Sequence, residues 1–206
     1  MPHTSDPFFR SFHALRIKGF AKSDVLAEVA DLPMEVVEEH LADLKSREWA
    51  LFRETRMLWQ LTPLGRDEHR TALAADVGHL HIADDLRPSY ESFLVVNEKF
   101  KGLCGDWQLR DDGPNDHTDQ QYDRSVIDRL VGLNDAALPL IEKMGSVLLR
   151  LAPYGPRLAS TCKRVVDGEA NMFTGVMCGS YHDVWMELHE DLILTQGIDR
   201  SAEGSF

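Results

Sequence analysis

The stretch from Asp31 to Glu68, DLPMEVVEEHLADLKSREWALFRETRMLWQLTPLGRDE, limits what this chain can fold into more than any other. Met34, Val37, Leu41 and Leu44 recur at i, i+3, i+7 and i+10, one buried stripe on a helix spanning Pro33–Arg47. Pro33 stands where a first-turn proline is tolerated, because the N–H it lacks would have no partner there. Two segments of strand-favouring residues follow, Glu48–Phe52 and Met57–Leu61, with Arg53-Glu54-Thr55-Arg56 as the turn between them. Leu61-Thr62-Pro63-Leu64-Gly65 then turns the second strand into another helix.

Upstream, Phe8, Phe9, Phe12, Leu15 and Ile17 lie close to helical spacing, so the pattern predicts a helix over 8–20 that Gly19 ends. A second, short helix over 23–30 has Ser23 as its N-cap, and Asp31-Leu32 makes the turn into the third. In this order the elements resemble the winged helix-turn-helix of MarR-like and PadR-like bacterial regulators, over about residues 8–70. Leu61-Thr62-Pro63-Leu64-Gly65 is the most telling piece. It is similar to the L-T-x-x-G segment in which the last wing strand passes into a helix. The resemblance implies that Pro33–Arg47 is the recognition helix, that the hairpin is the wing, and that residues 1–70 act in transcription regulation by binding DNA. The basic residues available for DNA are Lys22, Lys45, Arg47, Arg53 and Arg56. Arg53 and Arg56, at the hairpin tip, suit a phosphate or minor-groove contact.

Charge pulls against a DNA role. The net charge is −12, with 10 basic and 13 acidic residues in 1–76 and 12 and 21 in 77–206. Affinity for DNA comes largely from neutralising phosphates, so a basic face is the footprint expected of such a protein. Opposite the buried stripe of the Pro33–Arg47 helix stand Glu35, Glu38, Glu39 and Ala42, with Asp43 nearby. Glutamate can accept a hydrogen bond from cytosine, but carboxylates without flanking arginine repel the backbone. That face would equally serve a protein partner.

Residues 71–206 read as an all-helical domain for ligand binding or oligomerisation. A connecting helix is expected over 66–85, and another opens at Pro88 and breaks at Gly102 and Gly105. Asp111–His117 is the strongest loop signal, followed by Thr118 and Gln121 as a capping box. Helices follow over about 119–131, 135–151 and 154–166, the first two parted by Gly132-Leu133-Asn134. Asp167–Gly179 reads as a loop, and Ser180 with Asp183 caps a last helix over Tyr181–Gln196 that Gly197 closes.

The last helix and the loop ends carry the candidate ligand residues. Ser180 caps a helix whose free N–H groups and dipole favour an anion, and His182 stands beside it. Tyr181, Trp185 and His189 continue the same helix, while Asn97, Trp107, Arg110 and His117 mix aromatic and polar groups before and within the loop. These residues either line a pocket for a small anionic ligand or are core. His182 and His189 are seven apart, about 10 Å along the axis, too far to chelate one metal together. The loop 111–119 lacks the D-x-[DN]-x-[DN]-G spacing of a calcium site. No phosphate-binding glycine loop, nucleophile elbow or cysteine–histidine pairing is present, so neither a cofactor, a metal nor catalysis is expected. The segments WQLRDDGPNDHTDQQYD and SYHDVWMELHEDL are also similar to a C-terminal helical region of actinobacterial proteins associated with phosphoenolpyruvate-utilising, pyruvate-phosphate-dikinase-like modules. The TxHxA-type motif of their phosphohistidine domain is missing here. That resemblance therefore implies an accessory part, not the phosphotransfer chemistry.

No run of 18 apolar residues exists, and the first ten residues lack an apolar signal region, so no membrane span and a cytoplasmic location are expected. Three scattered cysteines fit reduced thiols better than a disulfide framework. The sequence thus predicts a mainly helical, two-domain regulator, dimeric as such regulators commonly are. The alternative is a module that uses the Glu35, Glu38, Glu39 face to contact a protein, such as a phosphoenolpyruvate-linked enzyme.

Overall fold

The computed structural model describes residues 1–78, 81–110 and 113–198. The protein is mainly helical, with a small antiparallel sheet. No described helix is long and apolar enough to cross a membrane.

Helix α1, Pro7–Lys18, starts where the Asp6 carboxylate accepts the N–H groups of Phe8 and Phe9 and stops at Gly19, whose φ of 69° few side chains tolerate. Strand β1 is Phe20–Ala21, and α2 is Ser23–Ala30. Lys22, not Ser23, holds the N-cap position of α2; the Ser23 hydroxyl instead accepts a hydrogen bond from Trp59 Nε1 at 3.2 Å. Helix α3, Met34–Ser46, buries Val37, Leu41 and Leu44, while Met34, at the end of the stripe, stays exposed.

The hairpin pairs β2, Ala50–Arg53, with β3, Leu58–Leu61, in a register running from Ala50 opposite Leu61 to Arg53 opposite Leu58. One 3-10 turn, Glu54–Arg56, and Met57 at φ 54° join them. β1 pairs with the other edge of β3, so the sheet order is β1-β3-β2. Helix α4, Pro63–Val77, is capped by Thr62, whose Oγ1 accepts the N–H of Gly65 at 3.0 Å and donates to Glu48 O at 2.7 Å. Gly65 is obligatory for space: a Cβ there would lie 1.9 Å from the Trp49 carbonyl oxygen. Phe12, Leu15, Leu26, Val37, Leu41, Leu44, Ala50 and Leu61 close one core inside these elements.

A second core lies within residues 82–192. Helices α5, Ile82–Gln108, and α6, Gln120–Val147, are 27 and 28 residues long and pack along each other. The sequence expected breaks at Gly102, Gly105 and Gly132–Asn134, and both helices run straight through them. Packing overrides propensity here: Phe100, Leu103 and Trp107 on α5 and Leu130 and Leu133 on α6 are buried around the exposed Gly102 and Gly132 and the half-buried Gly105. Pro88 lies inside α5 rather than at its start. The expected 66–85 helix ends at Val77, and Ile82 begins a new one. Asp119, not Thr118, caps α6, because Thr118 is tied back to Asp116.

The 109–119 connection holds a two-residue ladder of β4, Leu109–Arg110, with β5, Gly113–Pro114; Asp111 and Asp112, part of the expected loop signal, lie outside the described residues. Helix α7, Tyr154–Val166, and one turn of helix, α8, Asn171–Thr174, in the expected loop lead to α9, Tyr181–Gln196, which begins and ends where the sequence placed it.

Candidate functional site

Three regions hold the residues singled out above. The first is the hairpin and α3. Arg53 and Arg56 are exposed at the hairpin tip, and Lys45 is exposed near the end of α3. Arg47 is committed elsewhere: its Nε and Nη2 donate to the Asp43 carboxylate at 3.0 and 2.7 Å, and its guanidinium lies over the rings of Phe8 and Trp49. That hydrogen bonding holds Asp43 below the usual carboxylate range. Glu35, Glu38 and Glu39 are exposed, and none has an ion pair among the described residues.

The second region is α9 and its neighbours, and it splits the expected ligand residues. Ser180 Oγ accepts the N–H of Asp183 at 3.1 Å and donates to Gly175 O at 2.6 Å, while Asp183 Oδ2 takes the N–H groups of Cys178 and Gly179. The helix start is therefore filled by its own side chains. Trp185 Nε1 donates to Asn97 Oδ1 at 2.9 Å in the core, and the Tyr181 hydroxyl reaches Asn134 Oδ1 at 3.5 Å. His189 is buried against Phe93. Trp107 packs between His117 and Phe173; His117 Nδ1 lies 3.0 Å from Asp123 Oδ2, and Arg110 lies over the Tyr122 ring at 3.8 Å. Asn97, Tyr181, Trp185 and His189 thus share the helical core, and Trp107, Arg110 and His117 gather at the 107–123 end of it.

His182 alone of this set reaches the third region, a cleft of ≈ 790 Å³ between the two cores. α1, β1 and α2 form one wall, with Ile17, Phe20 and Lys22; α9 and the loop before it form the other, with Met177, His182 and Met186. Lys22, expected to serve DNA, and His182, expected to serve a ligand, line the same space. His182 Nδ1 is buried without a hydrogen-bond partner. Ion pairs tie the walls together: Lys18 Nζ donates to Glu187 Oε1 at 2.6 Å, Arg16 pairs with Glu190 at 3.0 Å, and Arg157 of α7 donates to Glu28 Oε1 of α2 at 3.2 Å and to Glu187 Oε2 at 2.7 Å.

Behind the cleft the seam between the cores is polar and buried. Arg150, on a 3-10 turn before α7, sits at its centre with 5% of its side chain exposed. It donates to Asp76 Oδ2 at 2.9 Å, to Asp191 Oδ1 at 3.2 Å and to Thr195 Oγ1 at 2.6 Å. Asp76 also meets His3 Nε2 at 2.9 Å and accepts from Ser5 Oγ at 2.8 Å. The backbone of His3 is held by Val147 O and by the N–H of Leu149, so the N-terminal segment straps the two cores together. Burial would raise the Asp191 carboxyl, but Arg150 and His13 outweigh it and hold the group far below the ordinary range. Tyr154, whose hydroxyl lies 3.3 Å from Asp191 Oδ2, is pushed up by burial and by that carboxylate.

Two histidines complete the seam. His13 Nε2 is 3.0 Å from Asp191 Oδ1, and His13 Nδ1 is 2.9 Å from His69 Nε2. With the Nε2 proton of a neutral His13 on the side of Asp191, its Nδ1 is the acceptor for His69 Nε2–H. Phe9 stacks on both rings and Phe12 meets His69 edge-on. Burial lowers the pKa of His13 against the pull of Asp191, and burial with the charges of His13 and Arg16 takes that of His69 down to about 2. None of these seam residues stood out in the sequence. Their partners are 37 to 178 positions away, and the one local hint is a histidine on each of two amphipathic helices. Among the described residues no cluster of histidine, cysteine and carboxylate side chains could hold a metal ion. Comparison with family models, with curated proteins and with solved structures finds no match to this chain.

Proposed function

We propose that the protein is a regulator whose N-terminal unit is a winged helix that touches DNA through its hairpin, and whose helical unit carries the effector site. One observation carries this reading: α2 and α3 joined by a three-residue turn are followed by a β2–β3 hairpin that pairs with β1, with Arg53 and Arg56 exposed at its tip. The MarR- and PadR-like resemblance of Leu61–Gly65 gains a physical basis, since Thr62 caps α4 and Gly65 lets it pack on Trp49. Arg47 is held by Asp43 and Lys22 faces the cleft, which leaves Lys45, Arg53 and Arg56 for phosphates. Three phosphate contacts give a log–log salt slope of about −2.7, so affinity should fall about 40-fold between ~50 and ~200 mM salt.

Fluorescence anisotropy with a duplex from the gene's own upstream region tests this. Arg53→Ala with Arg56→Ala should cut the slope to about −0.9. Absence of binding at low salt, or an unchanged slope, would overturn the wing assignment.

A second reading rests on the unpaired Glu35, Glu38 and Glu39: α3 docks a basic protein surface rather than bases. Charge reversal at all three separates the two. Tighter DNA binding places α3 at the groove, and unchanged DNA binding leaves it to a partner. For the effector, the cleft has the volume of small-ligand sites and offers His182 Nδ1 to a hydrogen-bonding group. A thermal-shift screen of small organic acids should give a stabilisation that His182→Ala removes, and no hit at all would leave the cleft without this role.

A further inference from the structure

Helix α4 is the only covalent path from the hairpin to α5, and its inward face is polar. His69 and Asp76 point from it into the seam, one turn either side of Leu73. Asp76 binds Arg150 of the helical unit, and His69 is boxed by Phe9, Phe12 and His13 of α1. The hydrogen bond of His69 goes to another imidazole, and among the described residues no ion pair joins it to a carboxylate. A neutral ring fits this box and a charged one does not, because an unpaired charge in an apolar enclosure loses its hydration without replacement.

The titratable groups acting on the imidazole pair, and the charged groups nearby, come from every element packed there. The N-terminal segment supplies His3, α1 supplies Arg10, Arg16 and Lys18, and α4 supplies Asp76. Arg150 comes from the turn before α7, Tyr154 and Arg157 from α7, and Glu187, Glu190 and Asp191 from α9. Asp76 and Asp191 are both engaged by Arg150, and Glu187 and Glu190 by Lys18, Arg157 and Arg16. Of the pair, His13 has Asp191 beside it and can share charge with it; His69 lies beyond His13.

We propose that α4 is a proton-operated latch: neutral His69 holds it against α1 and the helical unit, and proton uptake by His69 releases it while both cores stay folded. Release frees Asp76 from Arg150 and uncouples the hairpin-bearing unit from the helical one. This holds whether or not the hairpin binds DNA.

Amide hydrogen exchange at pH 7.0 and 5.0, expressed as protection factors corrected for intrinsic rate, tests it on the full chain. A released ring titrates near 6.5 and the docked ring stays neutral, so opening should become about 25-fold more frequent over that interval. The expected result is a fall of that order in the α4 amides with α5 and α6 unchanged. His69→Gln keeps a donor for His13 Nδ1 and takes no proton, so the fall should vanish. An unchanged α4, a fall shared equally with α5 and α6, or the same fall in His69→Gln would each overturn the latch. Should His69→Gln not fold, a histidine-ring NMR titration of the native protein decides the matter. A His69 ring that charges in place near pH 6.5, with α4 still protected, sinks the proposal.

Discussion

Alanine at Gly65 and alanine at Gly132 should change stability in opposite directions, although both glycines lie in helices. At Gly132 a Cβ would meet nothing within 4 Å, and the residue is exposed on α6. Alanine there lowers the backbone entropy of the unfolded chain without a clash, and should stabilise by about 0.5–1 kcal/mol. At Gly65 the same methyl would stand 1.9 Å from Trp49 O and 2.7 Å from Trp49 C, more than an ångström inside contact. The carbonyl cannot swing away, because it accepts the N–H of Thr62 at 2.9 Å and lies 3.3 Å from Thr62 Oγ1. Relief must come from shifting α4 off the hairpin, which strains the Thr62 cap as well. Overpacking costs about 1–3 kcal/mol and a lost cap about 1, against a propensity gain of at most about 1, so a net loss of roughly 1–3 kcal/mol is expected. Urea denaturation followed by tryptophan fluorescence reads both variants. Equal, stabilising effects would refute the close approach of α4 to Trp49, and with it the physical account of the Leu61–Gly65 motif.

Three further outcomes follow from the buried polar groups. Arg150→Met should cost about 3–5 kcal/mol in the same assay, since Asp76 and Asp191 lose their common partner inside the seam; a loss below about 1 kcal/mol would mean that the seam admits water. Asn97→Leu strands the Trp185 indole N–H and should cost about 1–3 kcal/mol, where a ligand role alone would leave stability untouched. In the native protein one thiol, the exposed Cys178, should react quickly with a thiol reagent such as Ellman's reagent. Cys104, pushed up to about 12 by burial, and Cys162, raised by the same cause, should wait for unfolding. Three thiols reacting at one rate would contradict this.

The fold was legible wherever the signal is local. The stripe of α3, the β2–β3 hairpin, the Ser180 cap and the bounds of α9 each depend on residues within a few positions of one another, and these elements form, with Met34 left exposed and β2 starting two residues later than the pattern reads. Glycine and proline misled where tertiary packing is strong: Gly102, Gly105, Gly132 and Pro88 sit inside two long helices because the buried faces of α5 and α6 outweigh a local cost of about 1 kcal/mol per glycine. Chemistry alone marks the candidate ligand residues, and chemistry does not say whether a tryptophan and an asparagine meet a ligand or each other. Trp185 and Asn97 meet each other. The seam is illegible for the opposite reason, since its members are ordinary residues that become distinctive only when helices and turns far apart in the chain bring them together.

That seam also bears on how the hairpin could be regulated. α1 contributes Phe12 and Leu15 to the first core and presents His13, Arg16 and Lys18 to the helical unit, so each turn of α1 serves both sides. A ligand in the cleft would touch this helix through Arg16, Ile17 and Lys18 and α9 through His182 and Met186. It would therefore bridge α1 and α9 across the seam whose α4 side a proton on His69 loosens. Occupancy and proton uptake must then be linked with opposite signs if both act through one open–closed equilibrium, because linkage is reciprocal. A ligand that binds only the closed form lowers the open population by 1 + [L]/Kd, so at about ten times Kd it should raise α4 protection about 11-fold at pH 5.0 and at pH 7.0 alike. Calorimetry supplies Kd and hydrogen exchange supplies the protection at both pH values. Agreement ties cleft and latch to one equilibrium, and α4 protection that saturating ligand leaves unchanged would show that the cleft does not sense the seam.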